Sequence, residues 1–176
     1  MSGVDVAGES TTAEVPVRAG EMKLEALVLP VTDVDRAKDF YERLGWRLDA
    51  DVADGEEFRL VQMTPPGSAC SIHFGKGLTA AEPGSFADMH LVVSDLDATR
   101  EELIAKGIEV SEVFHCATGF GCRYRDLGSL LPGSGLDKRE SGRDPEGQSY
   151  SSFAAFSDPD RNTWLFQEIT ERLPGR

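Results

Sequence analysis

Two stretches of this chain are written in the same grammar. In the first, Leu24 to Trp46, Leu27, Leu29 and Val31 alternate with period two, as a strand with one apolar face requires. Asp33 then stands where a helix N-cap accepts backbone N–H groups. Ala37, Phe40, Tyr41 and Leu44 recur at helical spacing, and Gly45 closes the helix where a positive φ is favoured. The second stretch, Phe86 to Val110, repeats the pattern. Val31 and Val93, Asp33 and Asp95, and Gly45 and Gly107 all stand 62 residues apart. One offset shared by a strand residue, a cap and a helix stop marks two copies of one supersecondary unit.

Around these copies the rest of the chain falls into order. After the first helix, Arg47–Val52, Glu57–Met63 and Ala69–Phe74 read as strands, with Asp54-Gly55 and Pro65-Pro66-Gly67 as the turns between them. The first half is therefore βαβββ, over residues 21–82. The second, over residues 83–170, begins and ends alike. Matching Pro65 to Pro159, 94 residues on, leaves 32 residues more than the first half needs. The excess falls on 116–148, rich in Gly, Ser, Arg and Asp. A loop of that length in a compact domain is usually functional or disordered, so both a flap and a solvated loop stand open. Residues 1–20 and 171–176 read as polar tails.

Charge and cysteines narrow the partners. The formal net charge is −13, of which the first twenty residues hold only −2. Nucleic acid and anionic membranes are thereby disfavoured. No apolar run is long enough to span a membrane, and the start has neither a basic stretch nor an apolar h-region. Cys70, Cys116 and Cys122 make no disulfide framework, so a reducing, cytoplasmic setting is expected.

The paired βαβββ units, the run Val31-Thr32-Asp33 with Phe40-Tyr41 and Leu44-Gly45, and the DPDRN segment Asp158–Asn162 together resemble the vicinal oxygen chelate superfamily. Its members include glyoxalase I, bleomycin-resistance proteins and extradiol dioxygenases. The resemblance implies an α+β fold in which two half-barrels surround a shared cavity, and a homodimer by default. Arg161 departs from it, standing where the family usually has Gly. Strand parity then divides the side chains. Leu27, Leu29, Val31, Ile72, Phe74, Met89, Leu91, Val93, Trp164 and Phe166 should lie under the helices. Ala26, Val28, Ser71, His73, Asp88, His90, Thr163, Leu165 and Gln167 should face the cavity.

The family's metal-ligand positions, carried over by motif, fall on Ala26, Ser71, Asp88 and Leu165. Only Asp88 is a good donor. His73 and His90 sit two residues further along their strands, about 6.6 Å higher in the cavity. With Asp88 or Gln167 they form a donor set suited to Zn²⁺, Fe²⁺ or Ni²⁺. The alternative is a pair of hydrogen-bonded cavity histidines without metal.

Two main functional readings therefore stand side by side, with a third beside them. One is a lyase- or isomerase-like enzyme acting near a carbonyl, with Asp88 as base and His90 as acid, base or ligand. The other is a binding protein that sequesters a drug or metabolite, with Trp46, Trp164, Phe120 and Tyr124 available to stack on a planar ligand. A third is an accessory subunit with a vestigial pocket. In either of the first two, Ala26, Val28, Ser71, Thr163, Leu165 and Gln167 line the ligand.

Overall fold

The computed structural model describes residues 19–116 and 139–172. The expected N-terminal tail up to residue 18, most of the insertion with Phe120, Cys122 and Tyr124, and the last four residues lie outside the described residues. The chain divides into two compact units, one ending at Ala81 and the other beginning at Glu82.

The first unit runs β1 (Ala26–Val28), α1 (Val34–Arg43), β2 (Arg47–Asp54), β3 (Phe58–Thr64) and β4 (Ser71–Lys76). Its sheet has the order β1-β4-β3-β2, with β1 and β4 parallel and the remaining pairs antiparallel. The second runs β5 (Met89–Val93), α2 (Leu96–Ala105), β6 (Phe114–Cys116), β7 (Arg139–Ser141), β8 (Ser152–Ser157) and β9 (Thr163–Glu168). Its sheet has the order β5-β9-β8-β6-β7. Without β7 it is the same βαβββ path. The insertion's last residues thus form an added edge strand, antiparallel to β6, where the sequence suggests only loop.

The helix ends repeat bond for bond. Asp33 Oδ1 accepts the Arg36 backbone N–H at 3.0 Å, and Asp95 Oδ1 accepts that of Ala98 at 3.0 Å. At the far ends Gly45 and Gly107 take φ of 87° and 78°. Gly45 N–H donates to Glu42 O and Trp46 N–H to Tyr41 O; Gly107 N–H donates to Ile104 O and Ile108 N–H to Leu103 O. Both are Schellman closures. In the first, the Tyr41 and Trp46 rings also pack at 4.8 Å, the apolar contact that accompanies the motif.

Each helix covers one face of its sheet. Ala37, Phe40 and Tyr41 of α1 are buried, with Val61, Met63, Ile72 and Phe74 buried on the strands below. Tyr41 and Phe74 lie 5.7 Å apart. Leu96 and Leu103 of α2 are buried, and Phe156 stacks on both Trp164 and Phe166. Each such side chain contributes about 1.5–3 kcal/mol by leaving water. Trp46 and Trp164 therefore belong to the two cores, not to a ligand face as the sequence allowed.

One further expectation is corrected. Cys116 is disulfide-bonded, while Cys70 is a free thiol. Arg161 meets the demand of the DPDRN turn by adopting φ 73° itself. The turn is held by Asp158 Oδ1, which accepts the N–H groups of Asp160 and Asn162 at 2.9 and 2.8 Å. No helix among the described residues is long and apolar enough to cross a membrane.

Candidate functional site

The face of the first sheet turned away from α1 carries a continuous chain of polar side chains. His73 on β4 places Nε2 3.1 Å from Gln62 Oε1 on β3, one rung of the ladder across. Gln62 Nε2 donates to Ser71 Oγ at 3.3 Å. Ser71 Oγ lies 2.6 Å from Thr64 Oγ1, and Thr64 Oγ1 donates to Asp49 Oδ2 on β2. Arg47 Nε closes the far end on Asp49 Oδ1 at 2.5 Å. Thr64 and Ser71 are buried, so each hydroxyl depends on these partners.

Asp49 reaches this chain because β2 slips. The β2–β3 register shifts between Leu48 and Ala50. Leu48 opposes Met63 and Ala50 opposes Gln62, leaving Asp49 as the extra residue. A bulge of this kind re-aims a side chain, here into the polar chain. Burial raises the pKa of Asp49, but bonds from Arg47, Thr64 and Gln62 outweigh it and hold the carboxyl below the usual range. The group is therefore an ionised acceptor at neutral pH.

The corresponding face of the second sheet is different in kind. Phe114, Ala155 and Leu165 form a buried apolar cluster, with half-buried Phe153 packed against it. The rings of Phe114 and Phe153 stack at 5.7 Å, and the Arg139 guanidinium lies 5.3 Å above Phe114. Gln167, across the ladder from Phe153, donates Nε2–H to Tyr150 O at 2.9 Å.

Several sequence-derived site residues fall where strand parity puts them. Ala26 pairs with Ser71 and Val28 with His73, so these four share the polar face of the first sheet. His90 pairs with Leu165, and Val92 with Gln167, on β5 and β9 of the second. Asp88 does not follow the pattern. It precedes β5, its φ is 56°, and its backbone N–H donates to Thr163 Oγ1 at 2.8 Å. Side chains at i and i+2 share a face only in extended backbone, so Asp88 and His90 are not the strand pair expected. His90 itself is exposed.

The proline match also misplaces the register of β9. Val28 pairs with His73, and its repeat partner His90 pairs with Leu165. His73 is thus matched by Leu165 and Ser71 by Thr163, not by Gln167 and Leu165. The connection from Pro159 into β9 is two residues shorter than that from Pro65 into β4. The expected set of Ala26, Ser71, Asp88 and Leu165, with Thr163 as the ladder's replacement for Leu165, does not fit a divalent metal. Ala26 and Leu165 offer no donor, and the Ser71 hydroxyl is tied to Thr64 and Gln62. Among the described residues no three His, Cys, Asp or Glu groups lie together as a metal site. A shallow depression lined by Arg36, Asp39, Glu42 and Arg43 belongs to the exposed side of α1 and is remote from this chemistry in kind.

Sequence reading missed Asp49, Gln62 and Thr64 in the first unit and Phe114, Phe153 and Arg139 in the second. Gln62 and Thr64 had a signal, since both are polar at one parity of an apolar strand. Asp49 had none, because a bulge reverses the parity that would have found it.

Residues 23–126, more than half of the chain, match the family described as Glyoxalase/Bleomycin resistance protein/Dioxygenase superfamily. Among solved structures, TnmS3, an antibiotic binding protein from Streptomyces sp. CB03234, is 25% identical with a TM-score of 0.56, covering 85% of this chain and 98% of that one. A glyoxalase/bleomycin resistance protein from the same organism is 25% identical with a TM-score of 0.55, covering 83% of this chain and 100% of that one. A superfamily member from Sphaerobacter thermophilus DSM 20745 is alike in fold, at 22% identity and a TM-score of 0.56, covering 84% of this chain and 98% of that one. No curated protein sequence matches.

Proposed function

The chain belongs to the glyoxalase/bleomycin resistance protein/dioxygenase superfamily, and from that premise we propose that it binds a small planar organic molecule without a resident metal and without transforming it. What carries this reading is Ser71. It stands at a family ligand position, yet its hydroxyl is committed to Thr64 and Gln62. Its parallel-strand neighbour Ala26 has no donor at all. A metal-dependent enolate or oxyanion chemistry finds no ligand set among the described residues. The aromatic pair Phe114–Phe153 with Arg139 supports a planar ligand, since such rings prefer offset stacking partners. TnmS3, similar at 25% identity, is an antibiotic binding protein, which supports a small-molecule ligand. The net charge of −13 favours a basic one. The family resemblance also implies a homodimer, which sedimentation of the purified chain would reveal.

A thermal-shift screen of small planar aromatic compounds tests the reading. A ligand at a hundred times its Kd adds about 2.7 kcal/mol of stability. Binding should persist in EDTA, the compound should be recovered unchanged, and Phe153→Ala should weaken it by about tenfold or less. Catalytic conversion of a bound compound, or loss of binding on chelation, would replace this reading with the enzymatic one.

A further inference from the structure

The polar chain of the first unit has a direction, and counting hydrogens reveals it. Ionised Asp49 can only accept. Thr64 therefore donates its single hydroxyl hydrogen to Asp49 Oδ2. The 2.6 Å contact between Thr64 and Ser71 must then be filled by the hydrogen of Ser71. With that hydrogen spent, Ser71 Oγ can only accept from Gln62, so the amide nitrogen faces it at 3.3 Å. Gln62 Oε1 is left facing His73 Nε2 at 3.1 Å, and an oxygen there requires an N–H.

We infer that Asp49, acting through Thr64, Ser71 and Gln62, fixes neutral His73 as its Nε2–H tautomer and so presents Nδ1 as the acceptor for a ligand N–H or O–H. Among the described residues Nδ1 has no partner. Asp49 is a positioning residue in this scheme, three side chains removed from the imidazole. The chemical demand on the ligand is one hydrogen-bond donor. Only this last step rests on the proposed small-molecule function; the directional chain does not.

The tautomer is read from long-range ¹H–¹⁵N correlations of histidine-labelled full chain at a pH where His73 is neutral. Nitrogen shifts should report a protonated Nε2 and a bare Nδ1. In Asp49→Asn an amide can donate to Thr64, which allows the whole chain to reverse and the Nδ1–H form to appear. The tautomer ratio should change by about fivefold, the equivalent of one hydrogen bond. Thr64→Val cuts the chain without removing a charge, and a similar loss of preference is expected if Asp49→Asn does not fold. A protonated Nδ1 in the unaltered chain, or a ratio unmoved by either variant, would overturn the inference.

Indole and 1-methylindole test the acceptor, since they differ in shape by one methyl and in chemistry by the donor. Indole should shift the Nδ1 resonance and bind about fivefold tighter. Equal affinity, with no effect on Nδ1, would overturn the acceptor role. Binding of neither, alongside the stated tautomer, would sink the proposed function while sustaining the directional chain.

Discussion

Arg59 closes on Asp51 with two parallel bonds, Nε to Oδ1 and Nη2 to Oδ2, each 2.9 Å long. The same guanidinium reaches Asp35 in the first turn of α1 at 2.8 Å, and Lys38 of α1 adds a bond to Asp51 at 2.8 Å. One carboxylate thus fastens the helix to β2 and β3. The bonds from Arg59, and then those from Lys38, overcome the effect of burial and hold Asp51 at about 2, below its ordinary 3.8. A depressed carboxyl stabilises the fold above its unfolded pKa and loses that contribution as pH falls through the folded value. The stabilisation is therefore full above about pH 5 and is lost progressively as pH falls to about 1. Solvent screening limits it to about 1 kcal/mol. Asp51→Asn should lower stability by that amount in urea titrations at pH 7, by a small fraction of it at pH 2, and by nothing near pH 1.

How much of this was legible beforehand follows from where the determining information sits. The caps at Asp33 and Asp95 and the stops at Gly45 and Gly107 are local, so each helix could be read directly. The shared face of Ala26, Val28, Ser71 and His73 follows from period-two alternation, which holds wherever the strand is regular. It failed at Asp49 and Asp88, where a bulge and a left-handed residue break the alternation. It failed again at Leu165, because register between strands depends on turn length rather than on matched prolines. The polar chain was invisible for a related reason: its members come from three strands and meet only once the ladder is known.

Arg143 makes a second fastening of the Arg59 kind, in the segment that follows β7. Its Nε donates to Asp97 Oδ2 at 2.8 Å, and Asp97 is the repeat of Asp35. Its Nη1 bonds Glu168, whose other oxygen accepts the Leu96 N–H at 3.0 Å. The inserted segment is so tied to α2 and β9 together. Arg143→Ala leaves the largely buried Glu168 carboxylate without its cation. A loss of about 1–2 kcal/mol is expected. Hydrogen exchange should quicken across 139–148 before it does so in β9, whereas uniform quickening would assign Arg143 no local role.

Arg161 offers the opposite sign. Its φ of 73° is a conformation that costs a side-chain-bearing residue roughly 1–2 kcal/mol, and its side chain is exposed. Arg161→Gly removes the strain but gives the unfolded chain more freedom, which offsets part of the gain. A net rise in Tm of about 2 °C is expected, near the lower end of what 1 kcal/mol gives a chain of this size. A fall in Tm would mean that Arg161 holds the turn through its side chain.

The middle of the polar chain makes the most demanding test, because Thr64 and Ser71 are buried and each is the other's partner. Thr64→Val keeps shape but removes the donor to Asp49 and the acceptor for Ser71. A buried hydroxyl and a half-buried carboxylate then lose a bond at once, and a cost of about 2 kcal/mol is expected. Ser71→Ala removes the acceptor for Gln62 and the donor to Thr64, but Thr64 keeps Asp49, so its cost should be nearer 1 kcal/mol. The double variant removes both ends of the 2.6 Å contact together. It should cost less than the two single losses added, by about 1 kcal/mol of coupling. Strict additivity in a denaturation cycle would mean that the two hydroxyls are satisfied independently and that no continuous chain joins His73 to Asp49.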